Sequence, residues 1–156
     1  VAVDPIPKIE TSPLEIARAF DGQKEIPGNV HNPMILSWIQ LDAPWYQTDE
    51  TPWCSSFVNY PFFVLGLNRS ASPAARSWLD VGVRVDKPWP GFDIVVLKQS
   101  ISDPGREVRE YRGHVGFYDG LDLSGGGIWI FSGNQGNKVC RALYPWNRVL
   151  DIRRIL

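Results

Sequence analysis

A chain of 156 residues, 44% hydrophobic and 21% charged, holds enough apolar material for one packed core and is neither a disordered nor a fibrous polymer. Its net charge of -1 gives no general affinity for nucleic acid, and no apolar run approaches the ~18 residues of a membrane-spanning helix. Cys54 and Cys140 are too few for a disulfide framework and too far apart for a CxxC unit, and two histidines make a poor zinc site, so no metal or cofactor is expected.

In chain order, residues 1–11 contain Pro5 and Pro7 and read as an extended arm. Ser12-Pro13-Leu14-Glu15 is a capping box with proline at the first helical position, which predicts a short helix with Leu14, Ile16, Ala17 and Phe20 toward the core and Gly22 as its stop. Asn32-Pro33 repeats the device ahead of the apolar stripe Ile35, Leu36, Trp38 and Ile39. Thr51-Pro52 then predicts a third helix start, with Cys54 at its third position and an interruption at Pro61, where proline lacks the N–H the helix needs. Ser72-Pro73 predicts a fourth helix through Leu79, stopped by Gly82.

The period changes in the second half. Ile94–Leu97, Gly113–Tyr118 and Ile128–Phe131 read as buried strands, followed by strands around Val139–Leu143 and Val149–Ile155. Residues 99–112 are polar, contain Pro104-Gly105 and read as an exposed hairpin or loop. Helices followed by an antiparallel sheet predict an α+β fold in a single domain, residues 1–156. Charge is uneven: residues 1–60 carry eight acidic and three basic groups, whereas residues 138–156 carry five basic and one acidic, a pattern suited to a solvated face or to pairing between the two ends.

A cysteine in the first turn of a helix meets free backbone N–H groups and the positive end of the helix, which favour a thiolate. The competing reading makes Cys54 a small buried hydrophobe. A nucleophile needs a base; His114, opening a strand beside two glycines, is the better candidate, whereas His31 beside Pro33 suits a surface or capping role. A third group has to fix the imidazole tautomer, and Asn134, just past the Ile128–Phe131 strand, is the candidate, with Gln135 and Asn137 as rivals. For Asn137 ordinary turn chemistry is preferred.

The segments Thr51-Pro52-Trp53-Cys54-Ser55-Ser56-Phe57-Val58-Asn59, Ala75-Arg76-Ser77-Trp78-Leu79, Asp93-Ile94-Val95-Val96, Gly113-His114-Val115-Gly116-Phe117-Tyr118 and Gly133-Asn134-Gln135-Gly136-Asn137-Lys138-Val139 together resemble the successive motifs of CHAP-type and NlpC-like cysteine peptidases, nearest the phage and prophage subgroup that acts on bacterial peptidoglycan. The resemblance implies a papain-like core in which Cys54 attacks an amide carbonyl, His114 is the general base and Asn134 orients His114. The implied activity is endopeptidase cleavage of stem peptides; the rivals are an N-acetylmuramoyl-L-alanine amidase with the same apparatus and a catalytically silent wall-binding or structural module.

Such a substrate carries free carboxylates and predicts an open groove with some basic groups and aromatic walls, for which Trp45, Trp53 and Trp129 are candidates, with Gln135 a further contact and Asp49 and Glu50 groups for a substrate amine. The N–H of Cys54 is one oxyanion donor; Tyr46, Gln47 and the loop before Thr51 are candidates for the second. Phe92 and Pro61 depart from the family pattern and are expected to alter the groove, while Asp93 reads as structural. The expected partner is peptidoglycan, met by a monomer without nucleic acid or membrane insertion. No signal peptide is evident, so synthesis in the bacterial cytoplasm and action from the periplasm or after release are expected.

Overall fold

The computed structural model describes residues 1–5 and 8–156, so the expected extended arm over residues 1–11 falls partly outside the described residues. Helix α1 (Pro13–Arg18) starts where Ser12 Oγ accepts the Glu15 N–H at 3.3 Å, and buries Leu14 and Ala17. Helix α2 (Pro33–Asp42) is capped by Asn32, whose side-chain oxygen accepts the N–H groups of Met34 and Ile35. It buries Ile35, Trp38 and Ile39.

Helix α3 (Cys54–Val64) is the central element, with every residue from Cys54 to Asn59 buried. It begins at Cys54 itself, with Trp53 as its cap residue and no side-chain cap, so Cys54 occupies the first helical position and not the third. The Thr51-Pro52 signal loses to tertiary packing. The Trp53 indole is fully buried, its ring 5.9 Å from that of Trp38 and 6.4 Å from that of Phe57, and its N–H donates to Glu25 at 2.7 Å. Fixing Trp53 there makes its carbonyl the first helical acceptor, taken by the Phe57 N–H at 2.9 Å.

The interruption expected at Pro61 does not occur, since α3 runs through it to Val64. Proline deprives only the Phe57 carbonyl of its helical donor. The Leu65 N–H still reaches the Pro61 carbonyl at 3.2 Å, and Phe57 and Phe62 are wholly buried on either side. Each fully buried phenylalanine contributes roughly 2 to 3 kcal/mol of transfer free energy, enough to offset one lost helical bond.

The fourth expected helix is instead a 3₁₀ segment, Ala75–Asp80, starting two residues later. Ser72 is held in the preceding loop: its carbonyl accepts Ser55 Oγ at 2.7 Å and Asn59 Nδ2 at 3.2 Å, and its hydroxyl accepts the Ala74 N–H. Asn59 also donates to Ser70 Oγ and accepts the Ala71 N–H, so α3 grips the whole 70–72 loop.

The strands are β1 (Val83–Arg84), β2 (Asp93–Leu97), β3 (His114–Leu121), β4 (Gly127–Ser132), β5 (Cys140–Pro145) and β6 (Val149–Arg154). They form one antiparallel sheet in the order β1-β6-β2-β3-β4-β5, which gives the expected α+β fold with helices preceding the sheet. The two-residue β1 has no counterpart in the sequence reading; it pairs Val83 with Arg154.

Only Trp146–Arg148 separates β5, at one edge, from β6, four strand positions away. In a flat sheet that separation is about 19 Å. The linking residues reach about 14 Å when fully extended. The sheet must therefore curl, which brings the β5–β6 connection toward the start of β3 and the end of β2, where the Lys98 N–H donates to the Arg148 carbonyl at 2.7 Å.

Curling also explains why β2 is buried on both faces. Ile94 and Val96 join Val115, Phe117 and Phe131 under the helices, whereas Val95 and Leu97 join Tyr118, Ile128, Ile130 and Ile152 in a second cluster made by the sheet itself. At the far end of β2, buried Asp93 accepts the Trp89 N–H and a two-pronged contact from Arg154 at 2.7 Å, the structural role expected of it.

Candidate active site

Cys54, at the start of α3, and His114, the first residue of β3, line one cavity of about 380 Å³. Both are buried, and Cys54 is not disulfide-bonded. Burial pushes the Cys54 thiol up, against the opposing pull of the N–H groups of Val115, Ser55 and Cys54 itself. Burial likewise holds His114 down to about 4, with the charge of Arg148 acting in the same direction and the Gln135 hydrogen bond opposing both. The resting pair is therefore a thiol and a neutral imidazole, and no hydrogen bond joins them among the described residues.

The partner of His114 is Gln135 and not Asn134: His114 Nε2 lies 3.0 Å from Gln135 Oε1. The Gln135 amide orientation follows from its surroundings. Its Nε2 donates to the Cys140 carbonyl at 2.6 Å, so Oε1 faces His114 and accepts a second hydrogen bond from the Tyr144 hydroxyl at 3.0 Å. An acceptor at Oε1 requires the proton on His114 Nε2, which leaves Nδ1 as the nitrogen able to take a proton. The tight turn after β4 explains the one-residue shift. Asn134 adopts the left-handed conformation, φ 56°, and lines the cavity surface, while the next side chain turns inward. Asn137, also left-handed at φ 60°, has the turn role expected of it.

The turn is pressed against α3. A side chain at Gly133 would begin 2.2 Å from the Trp53 ring, so only glycine allows this approach. At Gly113 a Cβ would lie 2.8 Å from the Leu97 carbonyl oxygen, so the glycine before His114 accommodates a neighbouring backbone.

The walls also depend on Arg76, a fully buried residue of the 3₁₀ segment. Its guanidinium donates to the carbonyls of Pro104, Gly105, Val108 and Arg112, at 2.7 to 3.0 Å. The 99–112 loop is thus exposed along its outer residues, as expected, but anchored from beneath. Its end supplies Tyr111, Arg112 and Gly113 to the cavity. Tyr144 and Arg148 also line it, with the Arg148 guanidinium 4.8 Å from the Tyr144 ring centre.

Several expected contacts lie elsewhere. Trp53 is a core residue with no exposed surface, because its indole fills the space between α2 and the turn after β4. Trp45 is exposed beside Tyr46, and Trp129 is covered by the Arg141 guanidinium at 4.2 Å; neither lines the Cys54 cavity. Asp49 is wholly buried and cannot meet a substrate amine: its carboxylate accepts the N–H groups of Ile26 and Asn32 and contacts His31 Nδ1 at 3.0 Å. Burial would raise its pKa, but these partners outweigh that and hold it below the usual range.

Glu50 lines a second cavity of about 600 Å³ with Glu25, Lys24 and Lys138. Pro52 and Asn134 border both cavities, so the two adjoin. Tyr46, Gln47, Pro61 and Phe92 do not line the Cys54 cavity, which leaves the proposed second oxyanion donors and the expected groove-altering residues away from it. Arg112, Tyr144 and Arg148 lie outside the candidates named from the sequence: Arg112 arrives with the loop that Arg76 anchors, two residues before His114, and the curl of the sheet brings Tyr144 and Arg148 beside it.

Among the described residues, no group of three or more His, Cys, Asp or Glu side chains could hold a metal ion, and no helix is long and apolar enough to cross a membrane. No protein-family model matches the chain, and no curated protein matches it by sequence.

Proposed function

We propose that the chain is a cysteine endopeptidase that hydrolyses amide bonds in bacterial peptidoglycan stem peptides. Its main support is that Cys54 shares one cavity with a histidine whose Nε2 is engaged by Gln135. The substrate class follows from the ordered motif resemblance, with the papain-like CHAP and NlpC peptidases as the proposed kin.

In the proposed reaction, His114 Nδ1 accepts the thiol proton as Cys54 Sγ attacks the amide carbonyl carbon. The Cys54 N–H, at the first helical position, stabilises the developing oxyanion. The tetrahedral intermediate collapses as the imidazolium protonates the leaving nitrogen, breaking the C–N bond and leaving a thioester on Cys54. Water then gives a proton to Nδ1 and attacks the thioester, the C–S bond breaks, and the proton returns to sulfur. Gln135 holds Nε2–H throughout, and the Tyr144 hydroxyl holds Gln135. The protein is proposed to act as a monomer on the wall, from the periplasm or after release.

Digestion of purified peptidoglycan by the native protein and by Cys54→Ala, with mass spectrometry of the products, tests this reading. New amines within the stem peptides are expected from the native protein alone. Free stem peptides beginning at L-Ala would instead identify an amidase. Equal digestion by the variant would refute the cysteine mechanism, and no product from either would indicate a silent wall-binding module.

A further inference from the structure

The Cys54 cavity has an electrostatic sign that the chain as a whole lacks. Overall charge is -1, yet this cavity is lined by Arg112 and Arg148 and by no carboxylate, while in the adjoining cavity Glu25 and Glu50 are matched by Lys24 and Lys138. Arg148 is held in place: its Nε donates to the Lys98 carbonyl at 3.0 Å and its guanidinium lies over Tyr144. Its terminal nitrogens have no protein acceptor among the described residues. Arg112 is partly committed to Asp103, at 3.6 Å, so Arg148 is the stronger unfilled cation. A fixed guanidinium with two open N–H prongs fits a planar carboxylate.

We propose that Arg148, assisted by Arg112, binds a substrate carboxylate that lies beside the amide attacked by Cys54. This inference rests on the stem-peptide reading and deepens it. In a stem peptide, a γ-linked glutamyl residue projects its α-carboxylate from the main chain while its side-chain carbonyl forms the next amide. It therefore offers an interior anion close to a scissile bond. Binding there also assists the chemistry. Arg148 opposes protonation of His114, and a carboxylate that neutralises Arg148 removes that opposition as Nδ1 takes the Cys54 proton.

The test uses full-length Cys54→Ala and a synthetic L-Ala–γ-D-Glu–L-Lys peptide with a blocked C-terminus, prepared with the glutamyl α-carboxylate free or as the amide. Titration calorimetry is expected to show the free acid binding at least about tenfold more tightly, as one charge-assisted contact predicts. Raising the salt concentration is expected to narrow the gap, and adding Arg148→Gln to abolish it. Equal affinity for the two peptides would overturn this inference while leaving the peptidase reading intact. Failure of both peptides to bind would overturn it as well; wall digestion by the native protein then decides separately whether the peptidase reading survives. Because the comparison between peptides needs no change at Arg148, a folding defect in Arg148→Gln cannot rescue the proposal.

Discussion

Acid should destabilise this protein through His114. The imidazole is held down to about 4 in the folded protein against 6.5 for the free side chain. Between those values the unfolded chain binds a proton that the folded site refuses, so stability is full above about 6.5 and falls as pH drops toward the folded value. At 1.36 kcal/mol per unit, the loss on going from pH 7 to pH 4 is roughly 3 kcal/mol. Urea unfolding of the native protein and of His114→Gln, followed by tryptophan fluorescence across this range, isolates the effect, since every other group titrates in both. The native protein should lose roughly 3 kcal/mol more than the variant. Parallel stability curves would show that the folded site accepts the proton freely, and would refute a buried neutral His114.

Gln135→Leu should lower kcat by roughly 100-fold, a smaller loss than the ~10⁴-fold of a triad whose orienting group no longer holds the productive tautomer. Nitrogen NMR of the imidazole should show the proton no longer fixed on Nε2, whereas Asn134→Ala should leave that signal unchanged. Asp49→Ala strips the acceptor from two backbone N–H groups and should cost about 2 to 4 kcal/mol in urea unfolding. Arg76→Leu should free the loop it clasps, so that amide exchange over residues 104–112 accelerates before the sheet is affected.

Two of the four expected helix starts were legible because proline and a capping side chain act locally: Ser12-Pro13 and Asn32-Pro33 announce α1 and α2 within a residue. Thr51-Pro52 and Ser72-Pro73 carry the same signal and mislead, because burial of Trp53 and the clasp of Ser55 and Asn59 on Ser72 fix the backbone from a distance. The strands other than the two-residue β1 were legible from their apolar runs, but their order was not. The closure that gathers Tyr144 and Arg148 beside His114 depends on how the β5–β6 connection fits the whole sheet. Cys54 and His114 could be nominated from residue chemistry, whereas Asn134 and Gln135 differ only in which way a left-handed turn points them. Asp49 and Trp53 show the remaining difficulty: residue types that suit a groove serve equally well to clasp a loop or fill a core.

In the proposed mechanism Cys54 carries the acyl group of a cleaved stem peptide. Native protein quenched in acid during digestion of peptidoglycan fragments, then mapped by peptide mass spectrometry, should carry a hydroxylamine-labile adduct on Cys54 whose mass matches the acyl half of the product. Ongoing cleavage with Cys54 unmodified, and undiminished in Cys54→Ala, would contradict the account.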